Sequence, residues 1–443
     1  MTMTASNQLE FKWTSPKSTA RSSFRSDRIS IDMNDTYCDQ VLGPLYSYMM
    51  LLGLNHRNSG AQKSIFKWPL TVYNYVTLFV MTTATIRRIT QLRQEETTSD
   101  GFHVLNPNFV LTLCHALLML SGLAASFLLL NMQKRKEQMY RVLDRGINRT
   151  RNEENDRKHF RLNKLFIIIS FLFASALALV QVLTKLNYIL LPDAPDLISR
   201  NLPFIILEGY VIFIASSAIS LLAILFFQLC RILQFSIARL IEEMVPKEKE
   251  ECPLPEQSLQ QIHDVQKHYQ EISNAKVFIE QSFSMSLFYT YGCCIPLTCL
   301  LGYMAFRNGK QADVAETVSV VIWLVNAMLA LMLFSIPAFM IAEEGDKLLV
   351  ASFKMYHETL CEERDLLVLS QMSFLSFQMH ATKLTLSAGN FFMMNRKILI
   401  SLFSAIFTYF LILVQFDAER QKNNATCTDA SSVSKVLILQ QAT

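Results

Sequence analysis

The sequence predicts an all-α membrane protein with seven transmembrane helices. Apolar segments long enough to cross a bilayer, which takes about 20 residues, recur along the 443-residue chain. Hydrophobic residues make up 51% of the chain, and 31 residues are Phe. Lys and Arg are divided unevenly between the connecting loops, which is typical of the two sides of a membrane. The predicted spans are 68–87, 107–131, 165–187, 204–230, 277–306, 318–342 and 397–417.

The chain begins with a polar segment. Residues 1–35 are rich in Ser, Thr and Arg and contain no apolar core, which predicts a disordered cytoplasmic tail rather than a cleaved signal peptide. The stretch 37–54 is apolar but is interrupted by Gly43 and Pro44. We therefore expect an interfacial segment that leads to the first span. Pro296 and Pro337 lie inside the fifth and sixth spans, where a proline can kink a helix without abolishing it.

The positive charges predict the orientation of the chain. Of its 41 Lys and Arg residues, 31 fall in the N-terminal tail and the loops on the same side, and 10 fall on the other side. Lys134, Arg135 and Lys136 lie directly against the end of a span. Because positive loops stay in the cytoplasm, the N-terminus is expected inside and, after seven crossings, the C-terminus outside. The sequon at Asn424 then falls outside the cell, where glycosylation is possible.

The two longest predicted cytoplasmic connections are not short turns. Segments 231–276 and 343–396 are nearly free of Gly, and Leu349, Phe353, Tyr356 and Leu360 form a helical apolar stripe. Both segments are therefore predicted to be helices that extend below the membrane and pack on other subunits or within one chain. His263 and His268 are expected on a solvated helix face, and His357 and His380 are isolated.

The sequence contains no catalytic or metal-binding motif. It has no glycine-rich phosphate loop, no nucleophile elbow and no HExxH pattern. The nine Cys are scattered without zinc or disulfide-framework spacing. Its basic residues do not form a nucleic-acid patch. We therefore predict no enzyme activity, no metal, no cofactor and no nucleic-acid partner.

Several polar and aromatic residues inside the spans fall in the outer half or near the middle of the membrane. An intramembrane ionisable group usually faces a cavity or a partner, and ligand pockets combine aromatic walls with a few polar groups. Two interpretations stay open for Glu208: a structural ion pair with Lys185 or His115, or a place in a ligand pocket. The predicted pocket residues are His115, Lys185, Glu208, Tyr210, Tyr289, Tyr291, Trp323 and Asn326.

The last span carries its polar residues on one stripe. Ser401, Ser404, Thr408 and Gln415 are spaced by three, four and seven, which keeps them on one helix face, and Ile412 lies between the last two. This pattern is typical of a helix packed by a small polar face inside a bundle. A helix that lines a pore is the second interpretation of the same pattern.

The same span resembles a known family. Thr408-Tyr409, five apolar residues and then Gln415-Phe416 resemble the signature of insect gustatory receptors, and residues 387–392 and 395–397 are similar to that family's approach to its last helix. The resemblance implies the fold of insect odorant receptors: four subunits around a pore lined by the seventh helix, cytoplasmic helices as the intersubunit anchor, and a ligand pocket in each subunit. It also implies that Gln415 and Phe416 form the external gate, with Thr408 and Ile412 lower on the pore wall.

Together these observations predict a gustatory receptor that acts as a ligand-gated, non-selective cation channel in the plasma membrane of chemosensory neurons. It would open to an external tastant, a sugar or a bitter compound, as a homotetramer or with other gustatory receptor subunits in the lipid bilayer. The alternatives are an odorant-receptor-type channel, a metabotropic seven-helix receptor and a transporter. The predicted parts are the tail 1–35, the membrane domain 36–342, the anchor 343–396, the pore helix 397–417 and the extracellular tail 418–443.

Overall fold

The computed structural model is helical in its described residues, apart from a short hairpin and the connections beside it. It describes residues 37–52, 67–97, 107–135, 153–189, 195–244, 255–311, 314–362 and 366–441. The predicted tail 1–35 lies outside these residues. In the described part of the chain the helices are α1 (Tyr37–Leu51), α2 (Lys67–Thr97), α3 (Pro107–Lys134), α4 (Glu153–Ile189), α5 (Pro195–Met244), α6 (Pro255–Gln311), α7 (Val314–Glu362), α8 (Leu366–Ala381) and α9 (Arg396–Gln441), and the hairpin strands are β1 (Ser387–Ala388) and β2 (Phe392–Met393).

Helix α5 forms the centre of the bundle and packs against α3, α4, α6 and α7. It is apolar on almost every face, which is the pattern of a helix buried all round. Its small residues allow close approach: a Cβ added at Gly122 of α3 would lie 2.4 Å from the Cβ of Ala215. Phe226 of α5 packs against Phe283 of α6 and Phe334 of α7, with ring centroids 5.2 and 5.5 Å apart.

Six helices are long and apolar enough to cross a membrane among the residues described: α3, α4, α5, α6, α7 and α9. Helix α2, which contains the predicted first span, has 31 residues. It carries Asn74, Arg87 and Arg88, and its described part does not reach the mean hydropathy of the other six. Pro296 and Pro337 lie inside continuous helices, as predicted.

The segments 231–276 and 343–396 were predicted to be helices beyond the spans, and among the described residues 231–244, 255–276, 343–362 and 366–381 are helical. Residues 382–395 are not helical and contain a short hairpin instead. Helix α5 has 50 residues and α6 has 57, which at 1.5 Å per residue is about 75 and 85 Å, far more than the roughly 30 Å of a bilayer core. The solvated position predicted for His268 is wrong, because its side chain is fully buried between α5 and α6 and its Nδ1 lies 3.1 Å from Glu243 Oε2. His263 is exposed.

The interruption predicted at Gly43 and Pro44 is also wrong. Helix α1 continues through both residues. Its last turns pack into the bundle, where Leu45 and Met49 are buried and the Tyr48 hydroxyl donates to Ser217 Oγ at 3.1 Å. These tertiary contacts outweigh the weak helix propensity of the Gly-Pro pair.

The hairpin precedes α9 and is anchored on α6. Gly389 and Asn390, at its tip, have φ values of 59° and 61°, the left-handed conformation that a two-residue hairpin turn requires. The Gly389 N–H donates to the Ser284 carbonyl at 2.9 Å, and the Ser387 N–H donates to Glu280 Oε1 at 3.1 Å. The start of α9 is therefore tied to α6.

Helix α9 continues well past the predicted end of the last span. It runs without interruption to Gln441, because residues 418–441 contain neither Gly nor Pro to end it. The sequon at Asn424 therefore lies on helical backbone, and its side chain is outside the described part.

Candidate functional site

The polar stripe of α9 is exposed over its whole length. Ser401, Ser404, Thr408, Ile412, Gln415 and Phe416 are all exposed in the single chain. The Thr408 hydroxyl donates to the Ser404 carbonyl one turn earlier, at 2.8 Å. Exposed polar side chains of this kind need water or another protein surface inside a membrane.

The opposite face of α9 packs on α6. Leu402, Ile406, Leu413 and Val414 contact the core of the bundle, and at about 100° per residue they lie on the side of the helix away from the stripe. Close packing continues where Phe410 meets Gly302, and Phe306 contacts Phe410 edge-on with centroids 6.2 Å apart. The two faces of α9 therefore have different surroundings within one subunit.

Polar contacts join the same two helices next to Phe416. The Tyr303 hydroxyl donates to Asp417 Oδ1 at 3.1 Å, and Arg307 Nη1 donates to the Tyr303 hydroxyl at 3.3 Å. Arg307 Nη1 also lies 3.9 Å from Asp417 Oδ1. Sequence analysis missed these residues. The sequence does show Tyr303 and Arg307 at i, i+4 spacing, and Asp417 as the first acidic residue after the apolar run.

A cavity lies between α3, α4, α5, α6 and α7, the five helices from which pocket residues were predicted. It is narrow: about 10 Å³ is open to the centre of a water molecule, enough for roughly one water. The lining residues are Leu118, Ser121, Leu177, Ile219, Cys294, Leu297, Trp323, Asn326, Ala327 and Ala330.

Three of the predicted pocket residues come together beside this cavity. Trp323 and Asn326 line it, and the His115 ring packs edge-on against Trp323 with centroids 4.6 Å apart. Asn326 Nδ2 donates to Ser216 Oγ at 3.1 Å, and His115 Nδ1 lies 2.8 Å from the Leu111 carbonyl. The latter distance indicates a protonated Nδ1, because a carbonyl only accepts hydrogen bonds. The Trp323 indole N–H has no acceptor among the residues described.

The other predicted pocket residues lie elsewhere. Tyr291 is buried one turn before Cys294 and its hydroxyl lies 2.6 Å from Ser335 Oγ, whereas Tyr289 is 51% exposed. The Tyr210 hydroxyl lies 3.2 Å from that of Tyr73 on α2. The side chain of Lys185 is outside the described part.

Glu208 forms an ion pair that the sequence did not predict. Its partner is Arg88 of α2, and both side chains are mostly buried. Arg88 was counted as a loop charge, whereas α2 continues beyond it to Thr97. This pair joins α2 to α5.

The described residues contain no group of three or more His, Cys, Asp or Glu side chains positioned to hold a metal ion. Among the described residues, the exposed stripe of α9 and the cavity around Trp323 are the features that we consider as candidate functional sites.

Comparison with known proteins decides the family. Residues 42–420 match the family model described as 7tm Chemosensory receptor. The chain belongs to the 7tm chemosensory receptor family. Within this family it is 75% identical over 449 aligned positions to Gustatory receptor family protein 3 of Caenorhabditis elegans, with 99% of each chain covered. It is 44% identical to High-energy light unresponsive protein 1 of the same nematode, with 87% of each covered.

Solved structures show the same fold. The chemosensory receptor chain resembles the insect olfactory receptor OR5 from Machilis hrabei with a TM-score of 0.62 at 14% identity, covering 86% of this chain and 100% of the other. The complex of that receptor with eugenol gives 0.61 at 15% identity, covering 85% and 100%. The predicted relationship to gustatory receptors and the shared fold are thereby confirmed. The chain is a multi-pass membrane receptor of this family and not an enzyme.

Proposed function

We propose that this gustatory receptor family protein is a ligand-gated, non-selective cation channel opened by an external small molecule. Four copies surround a central pore, and each contributes the stripe of α9 to its wall. The observation that carries this proposal is the exposure of that stripe on the face of α9 opposite α6.

The stripe accounts for the proposed conduction pathway. A row of hydroxyls and an amide facing lipid would be costly, whereas four such rows facing each other enclose water. No Asp or Glu lies on the stripe between Ser401 and Gln415. Without a charged ring or a backbone carbonyl filter, the pore discriminates weakly between cations. Gln415 and Phe416 form the external gate, with Ile412 and Thr408 below them.

The orientation follows from the positive charges, with the N-terminus in the cytoplasm and α2 as the first of seven spans in the plasma membrane of a chemosensory neuron. The proposed subunit contacts lie below the membrane. Helix α8 buries Val368, Met372 and Leu375 against its own chain and exposes Phe374 and Phe377 on the other side. These exposed aromatics suit contacts with other subunits, identical copies or related receptors.

The cavity has room for roughly one water, so a ligand must displace the side chains around it to enter. Its lining favours a compact, mostly apolar ligand with one hydrogen-bond acceptor over a sugar. Its lining is dominated by Leu, Ile and Ala. Ser121 Oγ already donates to the Leu117 carbonyl at 2.7 Å, and Asn326 donates to Ser216. The indole N–H of Trp323 is the donor best placed for a ligand. A sugar needs several such groups, because its own buried hydroxyls must be satisfied.

The central test is Gln415→Ala in oocytes. Loss of the amide from the gate is expected to change leak, relative ion permeability or agonist-evoked current, because the narrowest polar group sets these properties. Currents are compared with those of Gln260→Ala, which removes an exposed amide on α6. A panel that begins with eugenol and continues to apolar ketones and sugars supplies the ligands. Unchanged leak, selectivity and ligand currents would contradict the pore assignment.

Two further measurements separate the channel from its rivals. Epitope tags on both ends, stained without permeabilisation, are expected to show the C-terminus outside and the N-terminus inside. The opposite result would favour a metabotropic receptor. Photobleaching of fluorescently labelled subunits is expected to give four steps per complex. An odorant-receptor-type channel would give the same topology and differ in responding to volatile ligands alone.

A second stimulus is favoured by one relative. The 44% identical nematode protein is named for unresponsiveness to high-energy light. We therefore propose ultraviolet light as the alternative stimulus for this chain. Illumination of expressing cells without any ligand tests it. A current that depends on wavelength and is absent from cells that do not express the chain supports light. Its absence in cells whose channels open to a ligand rejects light as the stimulus.

A further inference from the structure

The polar contacts of Tyr303, Arg307 and Asp417, here called the Tyr303–Arg307–Asp417 cluster, lie where α6 and α9 meet at one end of the pore stripe. Tyr303 is fully buried and Asp417 is 9% exposed. A mostly buried carboxylate is stable only when charged and hydrogen-bonding partners compensate for its lost hydration. The cluster therefore specifies one position of α9 on α6.

The position of the cluster relative to the stripe is informative. Asp417 follows Phe416 directly and is two residues from Gln415. At 100° per residue, its side chain leaves α9 about 200° from that of Gln415. The cluster thus binds the face of α9 that packs on α6, at the same height as Gln415 and Phe416, which are exposed outside that face. A small rotation of α9 would therefore move Asp417 together with Gln415 and Phe416.

Helix α6 stands between the cavity and α9. Cys294 and Leu297 face the cavity. Gly302, Tyr303 and Phe306, about one to three turns later, face α9. A displacement of α6 caused by a ligand in the cavity therefore reaches α9 along a single helix.

We infer that the Tyr303–Arg307–Asp417 cluster sets the rotation of α9 at the gate and transmits movements of α6 to it. This inference rests on the proposed function for the gate role of Gln415 and Phe416. Tyr303, Arg307 and Asp417 are positioning residues, since none of them lies on the exposed stripe. The apolar contacts of Leu402, Ile406 and Phe410 hold the helices together, whereas the directional bonds of the cluster fix their relative angle.

The test measures the position of α9 without requiring ion conduction. Gln415 is replaced by Cys, and the rate at which a biotin-linked methanethiosulfonate labels this Cys is measured in opened membranes. Labelling of the chain that retains Gln415 gives the contribution of the native cysteines, which is subtracted. Adding Tyr303→Phe or Asp417→Asn is expected to change the labelling rate by roughly 5-fold or more, the scale of a typical coupling between sites. The double variant Arg307→Asp with Asp417→Arg exchanges the two charges and keeps them opposite. Its labelling rate is expected to be closer to that of the parent than the rate of Asp417→Asn.

Tyr75→Phe is the matched control, because it removes the hydroxyl of an exposed tyrosine on α2 and should leave the rate unchanged. Parent-like labelling in both Tyr303→Phe and Asp417→Asn overturns the inference. If Asp417→Asn does not fold, Tyr303→Phe decides alone, since it keeps the ring. A shift in labelling together with unchanged Gln415→Ala currents would reject the proposed pore but leave the cluster's role in positioning α9. Unchanged labelling together with altered Gln415→Ala currents rejects the cluster alone.

Discussion

Helices α5 and α9 have nearly the same hydropathy in their most apolar parts and opposite surroundings. The most apolar part of α5 has a mean hydropathy of 2.4 and that of α9 has 2.2, yet 78% of the first and 6% of the second is buried within the chain. Hydropathy therefore predicts that both can enter a membrane but not which one forms the core of the subunit. The difference lies in how the residues are distributed around each helix. Helix α5 has small residues where other helices cross it, whereas α9 has a polar stripe on one face and apolar residues on the face that packs on α6.

The largest expected effect comes from deleting an aromatic ring in the α5 core. Phe226 is fully buried between Phe283 and Phe334, so Phe226→Ala should lower the free energy of unfolding by about 3–5 kcal/mol. The matched change on α9 is Phe407→Ala, because Phe407 is 61% exposed, and it should cost about 0.5 kcal/mol or less. Unfolding in mixed detergent micelles measures both. Equal losses would mean that α9 is as much a part of the subunit core as α5.

A smaller effect is expected where α3 crosses α5. Gly122→Ala places a methyl group against Ala215, and the resulting overpacking should cost about 1–3 kcal/mol. Gly292→Ala is the control, because nothing lies within 4 Å of a Cβ added there and Ala is the better helix former by up to about 1 kcal/mol. The two variants should shift the melting temperature in opposite directions. A neutral Gly122→Ala would show that the two helices can separate slightly without loss of stability.

The hydrogen bond between α5 and α7 should contribute still less to the free energy of unfolding. Asn326 donates to Ser216 across this contact, and a typical net contribution is about 1 kcal/mol. Asn326→Ala, Ser216→Ala and the double variant form a thermodynamic cycle. A coupling energy near that value is expected in unfolding measurements. Coupling close to zero would indicate that the cavity beside Asn326 lets water replace the lost partner.

The helix positions could be predicted from the sequence because apolar runs of spanning length are a strong signal. Their ends and contacts could not. The segment after Arg87 was taken for a loop, so Arg88 was not considered as a partner for Glu208. His268 was placed on a solvated face because its spacing from His263 does not show that it packs against Glu243 of α5. Continuation through Gly43 and Pro44 depends on tertiary contacts that local propensity does not contain.

The candidate site, like the fold, could be predicted only in part from the sequence. The stripe of α9 follows from helical periodicity alone, and its exposure agrees with both a pore wall and a contact surface. The pocket residues were predicted from their depth in the membrane. This criterion correctly grouped His115, Trp323 and Asn326, which lie beside one cavity. Depth does not determine direction, however, and Tyr289 and Tyr210 point away from the cavity because of the rotation of their helices.

The smallest expected effect on stability is also the most informative about α9. Thr408→Val keeps the shape of the side chain and removes a hydroxyl that already donates to the Ser404 carbonyl, so the free energy of unfolding should change by about 0.5 kcal/mol or less. If four stripes line a water-filled pore, the same change replaces a ring of hydroxyls by methyl groups, and the barrier to hydrated ions rises. Single-channel conductance should therefore fall while subunit stability stays constant. Phe407→Val, on a neighbouring exposed face of α9, should leave conductance unchanged. If Thr408→Val instead raises stability without altering conductance, the stripe faces lipid or a neighbouring helix, and α9 would differ from α5 only in what covers it.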